Sequence, residues 1–305
     1  MPEGDGLATD LAVVGLVRNG QATLEAALDR IAAALPRDRR VHWCVVESDS
    51  SDGSAELVAR LAAQRERFTG LCLGALRERL PQRTARIANC RNAYLDWLAE
   101  ASRHSPIGHV LVADLDGVID RLDAPGLASC WKRDDWAVCA ANVDGPYYDV
   151  WALRHPQWCP GDCWREAGFL RTLGASEERA AYAAVYSRML RLPLDADWIE
   201  VESAFGGLAL YRADALLGAR YEGLAADGGE VCEHVALHAQ IRQRGGRVFI
   251  NPRLLATSAS SVQAHLPEWR VVSDTADRPA FRALLRLLIG RDRARAVRRL
   301  LRSLI

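Results

Sequence analysis

Lysine is almost missing from this 305-residue chain: Lys132 stands alone and every other basic residue is arginine, a bias that, with the alanine content, fits a GC-rich coding sequence. No apolar run reaches eighteen residues, so no membrane-spanning helix is expected. No basic, apolar and small-residue leader opens the sequence, so export by that route is not expected either. The formal net charge is zero, which argues against whole-surface nucleic-acid binding. The eight cysteines are scattered, and several lie inside apolar runs such as Trp43-Cys44-Val45-Val46, the setting of packed, reduced thiols in a reducing, cytoplasmic compartment. Cys159 and Cys163 have neither the C-x-x-C spacing nor the second pair that a zinc site needs. Internal repeats and low-complexity segments are also absent.

What is present is a chain 50% hydrophobic, long enough for a large core. Apolar runs at 11–17 and 41–46 fit strands buried on both faces of a parallel sheet, and runs at 71–76 and 109–113 continue the series. Between them, apolar spacing predicts helices over 22–35, 55–65 and 84–102, the second introduced by the turn and cap residues of ESDSSDGS. The order β-α-β-α-β-α-β predicts an α/β, mostly parallel sheet flanked by helices. The rest is less regular. It holds a strand at 136–143, an aromatic stretch at 146–154 and a mostly helical segment at 164–192. A strand at 205–211 opened by Gly206-Gly207, a helix at 230–244 and a short strand at 247–250 follow.

The fourth apolar run ends in Asp114-Leu115-Asp116-Gly117. Two chemistries present carboxylates so spaced from the carboxyl end of a buried strand. A haloacid-dehalogenase-like phosphatase uses the first as nucleophile and the second as general acid, whereas a nucleotide-sugar glycosyltransferase holds a divalent cation against a sugar diphosphate. The phosphatase opens with this strand and needs a lysine well downstream. Here three earlier strands precede the motif and Lys132 follows it too soon.

Five segments in order, VRNG, VVESDSSDGS, RIANCRNAYLDWL, VLVADLDG, and FGGLALYR with CEHVALHAQIRQRGGRVFINPRLL, resemble nucleotide-sugar glycosyltransferases of the GT-A fold. The form of ESDSSDGS and RVFINPRLL is most similar to the cryptococcal mannosyltransferase-like family, with family 2 glycosyltransferases as more distant relatives. The resemblance spans about residues 10–265. It implies a Rossmann-like sheet with a smaller, mixed acceptor-side subdomain. It also implies a nucleotide-sugar-binding half at 8–120, an acceptor-binding and catalytic half at 121–270, and a tail at 271–305. The implied activity is metal-dependent transfer of a hexose from a nucleoside diphosphate to a glycan or lipid-linked acceptor, in surface polysaccharide synthesis. A catalytically inactive sugar-nucleotide-binding or scaffold protein would share the fold.

Departure of a diphosphate develops negative charge that Mn2+ or Mg2+ neutralises, and hard cations take carboxylate oxygens. Asp116 is the candidate metal ligand, Asp114 meets ribose or metal-bound water, and the resemblance adds His265 as a third metal position. Glu47, at the end of the second strand, takes the place of an acidic residue that meets the base, with Asp49 beside it and Asp52 split between binding and capping. Arg18 faces the same crevice. Arg86 and Asn89, with Arg83 near in angle, form a cationic, amide-bearing helix face suited to phosphate. Glu233 falls where inverting relatives place a catalytic carboxylate, although the usual Glu-Asp pair is here Cys232-Glu233 and the resembling mannosyltransferase family retains anomeric configuration, so the resemblance leaves the stereochemistry open. His238 reads as a satisfied core histidine. Tyr148, Asp149 and Trp151, with Gly206 and Gly207, are the candidate acceptor residues, and Tyr147, Trp158 and Trp164 divide between platform and packing.

Residues 278–305 carry nine arginines and one aspartate, so this tail is +8 and the remainder −8. Leucine and isoleucine recur there at helical spacing opposite arginine. That suits either an anionic membrane surface, placing the protein at the inner face of the membrane, or packing on protein.

Overall fold

The computed structural model describes residues 9–258, so His265 and the tail at 271–305 lie outside the described residues. In chain order the elements are β1 (Asp10–Val17), α1 (Leu24–Ala34), β2 (Val41–Glu47), α2 (Ser54–Gln64), β3 (Phe68–Cys72), α3 (Arg83–His104), β4 (Ile107–Asp114) and α4 (Ala124–Ala128). They continue as β5 (Val138–Asp144), α5 (Cys163–Thr172), α6 (Glu177–Ala184), β6 (Ile199–Val201), β7 (Leu208–Arg212), α7 (Ala213–Leu216), α8 (Glu233–Gln243) and β8 (Val248–Ser258). One sheet joins all eight strands in the order β3-β2-β1-β4-β7-β5-β8-β6.

The first four strands pair in parallel, as their continuous apolar runs predict. In β1 the side chains alternate between two buried layers: Leu11 and Val13 join the cluster holding Leu28 and Ile31 of α1, and Ala12 and Val14 the one holding Tyr94 and Leu98 of α3. Each large aliphatic side chain so buried contributes about 1.5–3 kcal/mol. Past β4 the sheet is mixed. Antiparallel β7 lies between β4 and β5, β8 returns parallel to β5, and short β6 closes the edge antiparallel to β8.

Three expected elements shift. The third strand ends at Cys72 rather than running to 76, because Gly74, at φ 66°, turns the chain into a short 3-10 turn at Leu76–Glu78. The helical segment at 164–192 splits into α5 and α6 around Gly174, at φ 92°. The last strand is longer than expected, eleven residues, because Val248–Ser258 carries both β5 and β6. Among the described residues no helix is long and apolar enough to cross a membrane.

Candidate active site

The carboxyl ends of β1, β2 and β4 open on one cleft of about 530 Å3, where ligands bind in open α/β sheets. Its walls include Arg18, Asp49, Arg83, Arg86, Asp114, Asp116, Tyr148, Asp149, Trp151 and Glu233, so most of the candidates named from the sequence meet there.

The side of the cleft at β1 and β2 is built by loops that lace one another. After β2 the short side chains of ESDSSDGS bond the VRNG loop that follows β1. Ser50 Oγ accepts from Asn19 N–H at 3.0 Å, Ser54 Oγ from Gly20 N–H at 2.9 Å, and Asn19 Oδ1 from Ser51 N–H at 2.8 Å. Asp52 belongs to this lacing: it accepts from Gln21 N–H and from the amide and hydroxyl of Ser54, the first residue of α2. Glu47 is 2% exposed, does not line the cleft, and turns the same loop by accepting from Ser50 N–H at 3.0 Å. Asp49, at φ 57°, accepts from Arg77 N–H and lies 3.6 Å from Arg86 Nε; Arg86 also donates to the carbonyls of Leu80 and Pro81.

On α3 the cleft face is Arg83, Arg86, Ile87, Cys90 and Arg91. Asn89 is exposed and is not among the lining residues. The amino end of this helix is already occupied in part, because Glu230 accepts from Thr84 N–H at 2.9 Å, a bond that holds the Glu230 carboxyl below its ordinary range. What this helix presents to the cleft is therefore guanidinium groups, those of Arg83, Arg86 and Arg91, more than its first amides.

Arg91 is the residue that sequence reasoning missed. It is 3% exposed, donates from Nε to Glu233 Oε1 and from an Nη to Asp114 Oδ1, each at 2.8 Å, and lies over the rings of Phe205 and Tyr221. The two acids hold its pKa well above the ordinary value against the opposing cost of burial. The signal available was an arginine one residue past Cys90 and three before Tyr94, on the apolar side of an otherwise amphipathic helix.

The opposite side of the cleft is assembled from turns. Gly206 and Gly207 both adopt positive φ, 72° and 85°, and a Cβ on Gly206 would sit 2.5 Å from the Ala141 carbonyl oxygen. Gly206 N–H donates to Asp149 Oδ2 at 2.9 Å, while Gly207 C=O accepts from Asp114 N–H at 2.9 Å. The glycine pair therefore fixes Asp149 relative to the end of β4. Desolvation pushes the Asp149 carboxyl up to about 6, with Asp114 and Glu233 adding to the rise and the Gly206 amide opposing it. Of the other aromatics, Trp151 lines the cleft and donates to Asp162, Trp164 borders a neighbouring side pocket, and Tyr147 and Trp158 pack on each other at 5.6 Å.

His238 is a satisfied core residue, bonded to Ser203 Oγ at 2.9 Å and Tyr211 Oη at 2.8 Å. His234 is different. It lines the cleft, stacks on Phe205 at 3.8 Å, and its buried Nε2 has no hydrogen-bond partner, 3.6 Å from Glu233.

All eight cysteines are free thiols, and only Cys72 is exposed. Among the described residues no group of three His, Cys, Asp or Glu side chains can hold a metal by itself. The cleft does present Asp114 and Asp116, and a small divalent cation commonly takes one or two carboxylates and completes its shell with water and substrate phosphate. Five carboxylates and four guanidinium groups line this cleft, so an entering diphosphate meets more negative than positive charge. A cation at Asp116 would reverse that balance.

No protein-family model matches the chain, and no curated protein matches it. Among solved structures it is similar to the mannosyltransferase PcManGT from Pyrobaculum calidifontis in complex with GDP-Man and Mn2+, at 18% identity and TM-score 0.46, covering 87% of this chain and 62% of that one. It is also similar to S. aureus TarS 1–349 in complex with UDP-GlcNAc, at 13% identity and TM-score 0.46, covering 82% and 58%. A third is glucosyl-3-phosphoglycerate synthase from Mycobacterium tuberculosis in complex with phosphoglyceric acid, at 14% identity and TM-score 0.38, covering 82% and 70%. The chain thus spans 62% and 58% of the length of the first two.

Proposed function

We propose that the chain is a glycosyltransferase that moves a hexose from a nucleoside diphosphate sugar to a glycan or lipid-linked acceptor, in the synthesis of a surface polysaccharide. One observation carries the reading: a single cleft at the carboxyl ends of β1, β2 and β4 gathers Asp114 and Asp116 with Arg18, Arg83 and Arg86, and sets Asp149 and Glu233 across from them. Mn2+ or Mg2+, bound by Asp116 beside Asp114, would supply the charge that stabilises the departing diphosphate.

The chain's own residues do the rest. Arg83, Arg86 and Arg18 receive phosphate oxygens, and Asp49, held by Arg77 N–H and Arg86, keeps the floor of the donor site in place. Arg91 ties the end of β4 to the head of α8, so the donor carboxylate and the acceptor-side carboxylate move as one unit. Tyr148 and Trp151 form the acceptor wall, and the glycine pair lets that wall approach β4 closely.

The rival reading, a sugar-nucleotide-binding protein without turnover, draws on the ion pair that engages Glu233 Oε1 with Arg91. Incubation with UDP-, GDP- and dTDP-hexoses, Mn2+ and a panel of glycan acceptors separates the two. Release of nucleoside diphosphate that stops on chelation supports the transferase, and tight binding with no release supports the rival. The tail at 278–305, outside the described residues, would serve as a membrane contact; loss of sedimentation with anionic vesicles on its removal tests that role.

A further inference from the structure

The cleft holds three carboxylates on or facing its acceptor side, and they are not equivalent. Asp114 and Glu233 share the Arg91 guanidinium at 2.8 Å each, so one oxygen of each is already engaged by a cation. Asp149 forms no ion pair among the described residues; its partners are the amides of Gly206 and Ala152. The groups that face it are Asp114 from the end of β4, Cys232 and Glu233 from the head of α8, and the neighbouring Tyr147 and Tyr148. Arg91 lines the same cleft, with its guanidinium bonded to Asp114 and Glu233.

Its position is as particular as its surroundings. Asp149 lines the main cleft and also a side pocket of about 150 Å3, which shares Tyr148 and Trp151 with the cleft and adds Trp164, Tyr186 and Met189. Trp164 and Tyr186 meet there edge to face at 6.5 Å, an apolar surface of the kind on which a sugar ring rests. The carboxylate thus stands where the donor cleft and the aromatic pocket join.

We infer that Asp149, rather than Glu233, is the proton acceptor of the transfer step, serving a hydroxyl of a carbohydrate seated in the aromatic side pocket, and that transfer inverts the anomeric centre. The assignment rests on the glycosyltransferase reading above. In the step, the acceptor oxygen forms its bond to the anomeric carbon as the bond from that carbon to the diphosphate oxygen breaks. The electron pair leaves on the diphosphate, and the hydroxyl proton passes to Asp149. Glu233 then serves as a positioning residue, acting through Arg91 on Asp114.

The test uses the full chain and water as acceptor, with Mn2+ and whichever of UDP-glucose, UDP-galactose, GDP-mannose and dTDP-glucose the wild type hydrolyses. The wild-type kcat should rise with pH along an acid limb, and proton NMR of the first-formed sugar should show inverted configuration. Asp149→Asn should lose turnover roughly a hundredfold, lose that acid limb, still bind nucleoside diphosphate, and regain turnover with azide, which needs no base. Glu233→Gln should slow the reaction yet keep the limb. An unchanged limb in Asp149→Asn, or a product of retained configuration, overturns the assignment alone. No hydrolysis of any of the four donors by the wild type overturns the glycosyltransferase reading and the assignment with it.

Discussion

The two halves of the sheet reach the cleft by different means. In β3-β2-β1-β4 every pair is parallel, and the cleft residues Arg18, Asp49, Asp114 and Asp116 follow directly from strand ends. In the other half, antiparallel β7 interrupts the parallel order, and the residues that face the cleft come from turns: Asp149 after β5, Gly206-Gly207 before β7, and Cys232-Glu233 at the head of α8. Strand ends are set by core packing on both faces. The turns are set by particular long-range bonds, and Arg91 adds a buried ionic link across the cleft to the β4–β7 pairing that joins the halves.

The most damaging way to break that link is Arg91→Ala, which leaves Asp114 and Glu233 without their cation. The expected loss is about 3–5 kcal/mol, the usual cost of stripping one partner from a buried pair, read by urea unfolding. Arg91→Lys should recover only part of it, since a point charge cannot serve both acids with directed bonds. A near-normal unfolding midpoint in the alanine variant would mean that the two halves are held elsewhere.

Asp149 sharpens the comparison in the opposite direction, because the turn-built half keeps an ionised carboxylate at a cost. Its folded pKa, about 6, lies above the ordinary aspartate value, so its stabilising contribution is complete below about pH 4 and is lost as pH rises through 6. Asp149→Asn should therefore be more stable than wild type at pH 8, by up to about 3 kcal/mol, with the difference shrinking toward zero at pH 4. A gain that does not vary with pH would remove desolvation as its cause.

Gly206→Ala tests the turn itself. With φ at 72° and a Cβ placed 2.5 Å from the Ala141 oxygen, the substitution should cost about 1–3 kcal/mol and displace Asp149, lowering turnover more than donor affinity. The smallest effect belongs to Asn89→Ala. Because that side chain is exposed outside the cleft, calorimetric donor affinity should change by less than about 0.5 kcal/mol.

These contrasts also say what the sequence could reveal. The parallel half was legible because continuous apolar runs such as 11–17 have one structural solution, and because short polar side chains after a strand announce a loop. Asp114 and Asp116 could be placed from strand counting alone. The third strand was misplaced because an apolar run does not record where Gly74 turns the chain. Arg83, Arg86 and Asn89 were read as one face of α3, yet the cleft takes Arg83, Arg86, Ile87 and Arg91, since the tilt of a helix against a sheet is not written in its periodicity. Arg91 stayed hidden because its partners lie 23 and 142 residues away, and an arginine among apolar residues is ordinarily counted as solvent-exposed. Asp52 was balanced between two roles, and its bonds to Gln21 and Ser54 show a loop-forming one.

The central claim is that the cleft binds a nucleoside diphosphate sugar through a cation at Asp116. Isothermal titration of the full chain with UDP-, GDP- and dTDP-hexoses, with and without Mn2+, tests it most directly when repeated on Asp116→Ala. The account predicts binding of at least one donor that requires Mn2+ in the wild type and disappears in the variant, with the unfolding midpoint unchanged. Equal binding by the two proteins, or no binding by the wild type with Mn2+ present, would contradict it.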